Sequence, residues 1–229
     1  MLKFQQKGEK MKKYFQTLSR CKLFSDISAE NLTSLLHCLG ARIQAYEKRD
    51  TIFAHGSSAK YIGILLSGAA QTVTVDYYGN RSILSEATES EMLGESFACA
   101  GEEEFPVSVV ASERCEVMLV ECNRVLHSCA NSCSFHHQMI FNLMKNLAMK
   151  NIMFHQKNEI TSKRTTREKL MAYLMLEAKN HSSDSFEIPF DRQELADYLE
   201  VERSGLSAEI GKMRREGIIE SRKNHFRIL

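Results

Sequence analysis

The distribution of glycine and proline divides this chain into a segment rich in turns and a segment that permits long helices. Seven of the eleven glycines fall between Gly40 and Gly101, and the next one is Gly205. The two prolines are Pro106 and Pro189. Segments interrupted by glycine are typical of short strands and turns, whereas the stretch between the two prolines lacks both residues and permits long helix.

Apolar periodicity predicts the elements of the first half. Ser28 is a suitable N-cap for a helix with an i, i+3, i+4, i+7 stripe of leucines, which are Leu32, Leu35, Leu36 and Leu39. From about residue 41 to residue 122, valines alternate with polar residues, and Tyr78–Asn80 predicts a hairpin turn. Several short strands at a spacing of roughly 8–12 residues indicate an antiparallel roll or barrel.

The segment from Val125 to about Thr161 is predicted to be one long helix. Its apolar side chains lie close to a heptad seam, which is formed by Ile140, Leu143, Leu147 and Phe154. One interpretation is a helix that lies on its own β-roll. The other, which the length of the stripe favours, is a helix that pairs with a second copy of itself in a homodimer.

Residues 191–213, DRQELADYLEVERSGLSAEIGKM, predict a helix-turn-helix. Asp191 and Glu194 form a capping box at the start of a short helix. A tight break at Glu200, where many such turns carry glycine, precedes a second helix. Both helices carry apolar residues at the spacing of a buried helix face: Leu195, Ala196, Leu199, Leu206, Ile210 and Met213. This arrangement places its second helix in the major groove of DNA.

The charge distribution supports a nucleic-acid partner. The whole chain has a formal net charge of only +1. Residues 191–202 carry five acidic side chains against Arg192, whereas residues 203–229 carry seven basic side chains against three acidic ones. Such a basic face attracts phosphate. The alternative to DNA binding is a purely structural helical hairpin with solvated charges. The final segment, with a turn at Lys223-Asn224, predicts a β-hairpin wing.

From Leu23 to its end the chain resembles the Crp/Fnr family of bacterial transcription regulators. The motifs that carry the resemblance are Gly56 and Gly68 around Ile64–Leu66, Leu93-Gly94-Glu95, the strand VSVVA ending at Ala111, and DRQELADYLEVERSGLSAEI. The resemblance implies an α+β chain with three parts. These are an N-terminal antiparallel β-roll, or double-stranded β-helix, over residues 1–124, a dimerisation helix over 125–162, and a winged helix-turn-helix over 163–229.

The family resemblance also implies partners and DNA-contacting residues. It implies a homodimer on an inverted repeat of double-stranded DNA, the recruitment or blocking of RNA polymerase, and a roll that senses a small signal. Arg192 matches a phosphate contact, and Arg203 is the candidate for reading guanine, with a phosphate contact as its alternative. Ser204 and Ser207 fall on the exposed face of the recognition helix, and Lys212 belongs to the same basic face. Ala208 replaces an arginine that many relatives carry, which predicts a different target sequence.

The effector pocket departs from the pattern of the relatives that bind cyclic nucleotides. Those relatives have Gly-Glu and then an Arg-Ser pair that begins eleven residues after the glycine. Here Gly94 and Glu95 are present, but the positions of the pair hold Phe105 and Pro106. Phenylalanine brings no charge and proline has no N–H donor, so a cyclic phosphate lacks a partner. We therefore expect no cyclic AMP binding. The alternatives are an apolar or neutral effector, or a pocket that Phe105 itself fills in a protein that binds DNA constitutively, and the sequence does not identify the effector.

The chain has seven cysteines, and in a cytosolic protein these are expected to be reduced thiols. An alternative to a small organic effector is a redox, haem or metal sensor that uses the cysteines and histidines of residues 115–137. Those side chains are Cys115, Cys122, Cys129, Cys133, His127, His136 and His137. Buried apolar cysteines at a helix junction are the simpler interpretation, and no cofactor is predicted.

Other classes of protein fit the sequence less well. An enzyme on a cupin-like roll needs clustered histidine and glutamate ligands, and His55 stands alone among the predicted strands, so no enzymatic activity is predicted. A cyclic-nucleotide-binding regulatory module is a remote alternative, which the helix-turn-helix disfavours. The longest apolar runs, Ile62–Leu66 and Met171–Leu176, are far shorter than the roughly 18–20 residues of a membrane span. With no apolar leader at the N-terminus, a cytoplasmic protein without membrane contact is expected.

Overall fold

The structure, a computed structural model, describes residues 13–126 and 134–229. The described residues divide between two compact units. The first contains the residues up to Thr74 together with Leu84–Lys150, and the second contains Val75–Ile83 and Asn151–Leu229. No helix among the described residues is long and apolar enough to cross a membrane.

Eight strands, paired in two four-stranded antiparallel sheets, form the predicted β-roll. Their order is β1-β8-β3-β6 in one sheet and β2-β7-β4-β5 in the other. The strands are β1 (Arg42–Tyr46), β2 (Thr51–Phe53), β3 (Tyr61–Ser67), β4 (Ala70–Val75), β5 (Arg81–Ala87), β6 (Met92–Leu93), β7 (Ser108–Ala111) and β8 (Cys115–Glu121).

Short helices accompany the roll, and a long helix follows it. These elements are α1 (Phe15–Arg20), a 3₁₀ turn (Lys22–Phe24), α2 (Ala29–Cys38), α3 (Glu95–Ala100), α4 (Cys122–Leu126) and α5 (Ser134–Thr161). The Ser28 hydroxyl accepts a hydrogen bond from the Asn31 N–H, which confirms the predicted N-cap of α2. Of the helix predicted from Val125 to Thr161, the part from Ser134 onward is confirmed as one helix; residues 127–133 lie outside the described residues.

Strand β3 is apolar from Ile62 to Leu66 because its two faces contact two different cores. Ile62, Ile64 and Leu66 pack with the helices on the outside of the roll. Leu65, on the opposite face, packs in the interior between the two sheets. Side chains alternate between the faces of a strand, so a strand covered on both sides needs apolar residues at nearly every position.

The second unit contains the elements of a winged helix-turn-helix. They are α6 (Thr166–His181), β9 (Ser185–Glu187), α7 (Arg192–Leu199), α8 (Arg203–Arg215), β10 (Ile219–Arg222) and β11 (His225–Ile228). The three strands form an antiparallel sheet in the order β10-β11-β9. The side chains predicted to be apolar contacts of α7 and α8 are all buried.

Candidate nucleic-acid interface

The start of α7 and the turn that follows it set the position of α8. The Asp191 carboxylate accepts hydrogen bonds from the N–H groups of Gln193 and Glu194, at 2.8 and 2.9 Å, and the Glu194 carboxylate accepts one from the Asp191 N–H. This is the predicted capping box. Helix α7 is followed by its C-cap Glu200, whose φ of 55° is the left-handed conformation that glycine adopts without strain.

A lysine from α6 supports this turn. Lys169 Nζ donates to the carbonyl oxygens of Leu199 and Glu200, at 3.2 and 3.3 Å. The last carbonyls of a helix have no partner within the helix, and a cation near them is favourable. Arg167 pairs with Glu209 and Glu216, so α6 is also tied to α8 by ion pairs. The recognition helix is therefore held on a fixed support.

The outer face of α8 carries the side chains that were predicted to contact DNA. Arg203, Ser204, Ser207 and Lys212 are all exposed. On the opposite face Leu206, Ile210 and Met213 are buried. An exposed row with a guanidinium and hydroxyl groups beside an apolar anchoring face is the geometry that the major groove accepts.

A concave surface of about 480 Å³ lies between α8 and the hairpin β10–β11. Four of its lining residues are basic and two carry hydroxyl groups: Arg192, Arg214, Arg222, Lys223, Ser207 and Ser221. Arg214, Arg222 and Ser221 were not singled out from the sequence. The signal for the two arginines was the local excess of basic residues, but spacing along the chain does not show that the hairpin turns toward α8.

Arg192 lies at the edge between this concave surface and the core. Its guanidinium donates to the Lys223 carbonyl oxygen at 3.4 Å and lies over the Phe226 ring at 5.6 Å from the centroid. Its Nη1 atom is buried and makes no hydrogen bond to any described residue. Burial, followed by the nearby positive charge of Arg203, lowers the pKa of Arg192. An anion placed here would relieve both costs.

The interior of the roll is filled at the position where relatives that bind nucleotides carry arginine. Phe105 is fully buried and stacks on Phe53, with 4.7 Å between the ring centroids. The edge of Phe97 completes the cluster at 6.1 Å. Gly94 has a φ of 72°, and a Cβ there would lie 2.9 Å from the Phe105 ring. Gly94 is therefore required both by the turn and by the aromatic packing.

The other two residues of the predicted pocket point elsewhere. Glu95 is buried, and its carboxylate lies 2.5 Å from the Lys150 ammonium on α5 and 3.5 Å from the Asn146 amide. Lys150 Nζ also donates to the Met92 carbonyl oxygen at 2.8 Å. Pro106 is exposed. Of the four residues, the structure brings together Gly94 and Phe105, while Glu95 connects the roll to the long helix.

Two family models match successive parts of the chain. Residues 43–132 match the cyclic nucleotide-binding domain, and residues 168–229 match the Crp-like helix-turn-helix domain. The chain belongs to the Crp/Fnr family. It is accordingly a DNA-binding transcription regulator, as the sequence predicted.

Individual members of the Crp/Fnr family resemble this regulator along most of its length. The transcriptional activator protein FnrA of Stutzerimonas stutzeri is 24% identical over 188 residues, which is 80% of this chain and 75% of FnrA. The c-di-GMP-responsive global regulator CLP of Xanthomonas campestris superposes with a TM-score of 0.71 at 15% identity, over 86% of this chain and 98% of CLP. FixK2 of Bradyrhizobium japonicum superposes with a TM-score of 0.65 at 16% identity, over 82% and 92% of the two chains. At these identities the structural likeness shows the fold alone.

The predicted seam of the long helix is only partly exposed to solvent in this Crp/Fnr regulator. Leu143 is 2% exposed in the core of its own chain, and Leu147 packs against the same core. Ile140 is partly buried, and Phe154 is 49% exposed. The more exposed stripe, at i, i+3, i+7 and i+11, consists of Phe141, Met144, Ala148 and Ile152.

The cysteines and histidines of residues 115–137 do not share one environment. Cys115 lies in the core between the sheets, whereas Cys122 lies in the core beneath the helices. His136 is buried and His137 is exposed. His127, Cys129 and Cys133 lie outside the described residues. Within residues 13–126 and 134–229, no three metal-ligating side chains come together.

Proposed function

We propose that this Crp/Fnr regulator works as a homodimer that binds an inverted repeat in double-stranded DNA through α8. The observation that carries the proposal is the exposed row Arg203, Ser204 and Ser207 beside a concave surface lined by four basic side chains. A two-fold dimer presents two copies of this surface. Their separation sets half-sites about one helical turn apart, roughly 34 Å.

Each side chain of the interface has a proposed role. Arg203 reads guanine, because a guanidinium donates to O6 and N7 together. Arg192, with its unpaired donor, holds a phosphate and fixes the register of the protein on the duplex. Ser204 and Ser207 contact the groove or its phosphates, and Lys212 adds to the phosphate attraction.

Selection from a pool of randomised double-stranded DNA tests this proposal. The expected result is enrichment of a two-fold symmetric motif whose half-sites are about one helical turn apart. The control is the same selection with Arg203→Ala, which should enrich a motif that is degenerate at one base pair of each half-site. Enrichment of a single unrepeated half-site, or of no motif, would contradict the proposal.

The dimer contact proposed for the long helix is the exposed stripe Phe141, Met144, Ala148 and Ile152. It replaces the predicted seam because a side chain such as Leu143, which is already in the core of its own chain, has no surface left for a partner. Large apolar side chains repeated along one helix face are costly in water, and a second copy of the helix removes them from it.

We also propose that the roll does not respond to cyclic nucleotides. Phe105 fills the interior where the phosphate would lie, and it offers no charge. The backbone N–H of Phe105 already donates to the Ser57 carbonyl oxygen at 2.8 Å. The Glu95 carboxylate, which in nucleotide-binding relatives holds the ribose, is neutralised by Lys150. The roll then has either an apolar or neutral effector or no effector, in which case the protein binds DNA constitutively.

The setting of this activity follows from the family. FnrA is a transcriptional activator, and we propose that this regulator likewise acts on transcription through RNA polymerase, inside the cytoplasm. The proposed division of labour assigns the effector-sensing roll to residues 1–124, dimerisation to 125–162 and DNA binding to 163–229. No catalytic role is proposed.

A further inference from the structure

Two cysteine side chains outside the proposed DNA-binding surface lie close together where α3 and α4 approach each other. The Sγ atoms of Cys99 and Cys122 are 3.6 Å apart, although the two residues are 23 positions apart in the chain. Both cysteines are free in this structure. A disulfide has an S–S bond of about 2.05 Å, so the two sulfurs need to approach each other by only about 1.5 Å.

The surroundings of the two sulfurs differ in a way that suits sequential oxidation. Cys122 is buried in the core beneath the helices, and its backbone N–H is fixed by a hydrogen bond of 2.9 Å to the Lys60 carbonyl oxygen. Cys99, in α3, is only half-buried. A small oxidant can therefore reach the pair from the side of Cys99, while the core holds Cys122 in place.

The contact between the sulfurs favours the loss of one proton from the pair. Either sulfur can be the donor of the S–H···S hydrogen bond, which stabilises a thiolate on the other sulfur. The thiolate is the form that reacts, and Cys99 is the sulfur that the oxidant reaches.

We propose that Cys99 and Cys122 form an oxidation site that a hydroperoxide converts into an intramolecular disulfide. The Cys99 thiolate attacks one peroxide oxygen, the O–O bond breaks, and the other oxygen leaves as an alcohol or water after taking up a proton. The sulfenic acid on Cys99 is then attacked by the Cys122 sulfur. The S–S bond forms, the S–O bond breaks, and the hydroxide leaves as water with the proton from Cys122. Two thiols lose two electrons to one hydroperoxide, and a dithiol reductant reverses the step.

Two other cysteines of the chain serve as internal comparisons. Cys21 and Cys115 are also buried, and burial raises the pKa of each to about 11. Neither has a sulfur contact within the described part of the chain. A sulfenic acid on Cys21 or Cys115 would have no neighbouring thiol among the described residues, whereas Cys99 and Cys122 are placed to form a disulfide.

The oxidation site lies beside the connection between the roll and the long helix. Cys99 follows Glu95 by one turn of α3, and Glu95 is the partner of Lys150 on α5. A disulfide at Cys99 therefore constrains the same short helix that holds α5 by an ion pair.

The experiment treats the reduced full-length protein with a small molar excess of hydrogen peroxide, blocks the remaining thiols and maps the linked peptides by mass spectrometry. Trypsin alone leaves Cys115 and Cys122 on one peptide, so it is combined with a protease that cuts after glutamate. Glu116 and Glu121 lie between these two cysteines, and Arg124 separates Cys122 from the cysteines that follow. The expected result is a Cys99–Cys122 link that dithiothreitol removes. The pair should react on the order of tenfold faster than Cys115.

Two single variants check the assigned order of steps. In Cys122→Ser the link is lost, and dimedone should trap a sulfenic acid on Cys99. In the matched control Cys115→Ser the link should form as in the wild type. The proposal is overturned if Cys99 and Cys122 stay reduced in the folded wild type while Cys115 or Cys21 is oxidised. It is also overturned if Cys99 and Cys122 keep free thiols while another pair of cysteines forms a disulfide.

Discussion

The Glu95 carboxylate lies 2.5 Å from the Lys150 ammonium, and this ion pair joins the short helix α3 of the roll to the long helix α5. Glu95 is only 1% exposed. A glutamate in the sequence context of a nucleotide-binding turn has therefore become a structural connection. Any signal that moved α3 would act on α5 through this pair.

Removal of the lysine should destabilise the roll. Lys150→Met leaves a buried carboxylate without its cation, and we expect a loss of about 2–3 kcal/mol in the free energy of unfolding. Urea denaturation measures the loss. The matched control is Lys145→Met on the same helix, because Lys145 is exposed and should change stability by less than about 0.5 kcal/mol. Equal effects of the two variants would show that the ion pair contributes nothing.

Cyclic AMP and cyclic GMP should not bind to the roll. Compared with a site that has the arginine and serine, the loss of both contacts weakens binding by a factor on the order of 10³. Calorimetry of the wild type with cyclic AMP should give no heat of binding, and a micromolar dissociation constant would refute the prediction.

Introducing the Arg-Ser pair at positions 105 and 106 should not create a cyclic-nucleotide site. In Phe105→Arg with Pro106→Ser, the guanidinium would lie between Phe53 and Phe97 without a partner. We expect a lower unfolding temperature and still no binding of cyclic AMP. A matched Pro106→Ser variant alone should keep the wild-type stability, because Pro106 is exposed. Recovery of binding in the double variant would mean that Phe105 leaves the interior easily.

Local patterns predicted the helices of the winged unit because each pattern and its consequence lie within a few residues. The capping box of Asp191 and Glu194 and the buried stripe of α8 are of this kind. The contacts Phe53–Phe105 and Glu95–Lys150 join residues more than 50 positions apart. They depend on strand order and on helix placement, which periodicity does not determine. The sequence showed Phe105 as a missing charge and as a side chain able to fill the pocket, but it did not show the stacking on Phe53.

Periodicity likewise did not determine which face of the long helix is exposed. The predicted stripe with Leu143 and the exposed stripe with Met144 differ by one residue, which is a rotation of about 100° around the helix. Both stripes are apolar, so composition does not decide between them. Only the packing of Leu143 into the core of its own chain shows which side of α5 is left in solvent.

Substitutions of Arg203 and Arg192 should impair DNA binding in different ways. Arg203→Ala should cost about 1–3 kcal/mol on the preferred DNA site and should relax one base position in each half-site. Arg192→Gln should weaken specific and random DNA alike and reduce the salt slope by about one. Arg114→Ala, an exposed arginine of the roll, is the control and should change neither quantity. A proportionally equal loss on both kinds of DNA for Arg203→Ala would assign it to phosphate instead.

Glycine at position 200 should stabilise the winged unit. Glu200 adopts a φ of 55°, and a residue with a Cβ pays roughly 1–2 kcal/mol in this conformation. After the added flexibility of the unfolded chain is subtracted, Glu200→Gly should raise the free energy of unfolding by about 0.5–1 kcal/mol. Glu200→Ala is the control, since it removes the carboxylate but keeps the Cβ. If alanine and glycine stabilise equally, the effect comes from the charge and not from the backbone.

A charge on the exposed stripe of α5 should prevent dimerisation. In Met144→Glu, an unpaired carboxylate would be buried between the two helices, and this costs several kcal/mol. Sedimentation at micromolar concentration should then give a monomer, with a loss of affinity for the inverted repeat because the two half-sites no longer share one protein. The matched control is Met175→Glu on α6, since Met175 is 61% exposed and Met144 is 57% exposed. This control should remain dimeric. A wild-type protein that sediments as a monomer would refute the dimer. A Met144→Glu variant that remains a dimer would place the dimer contact elsewhere.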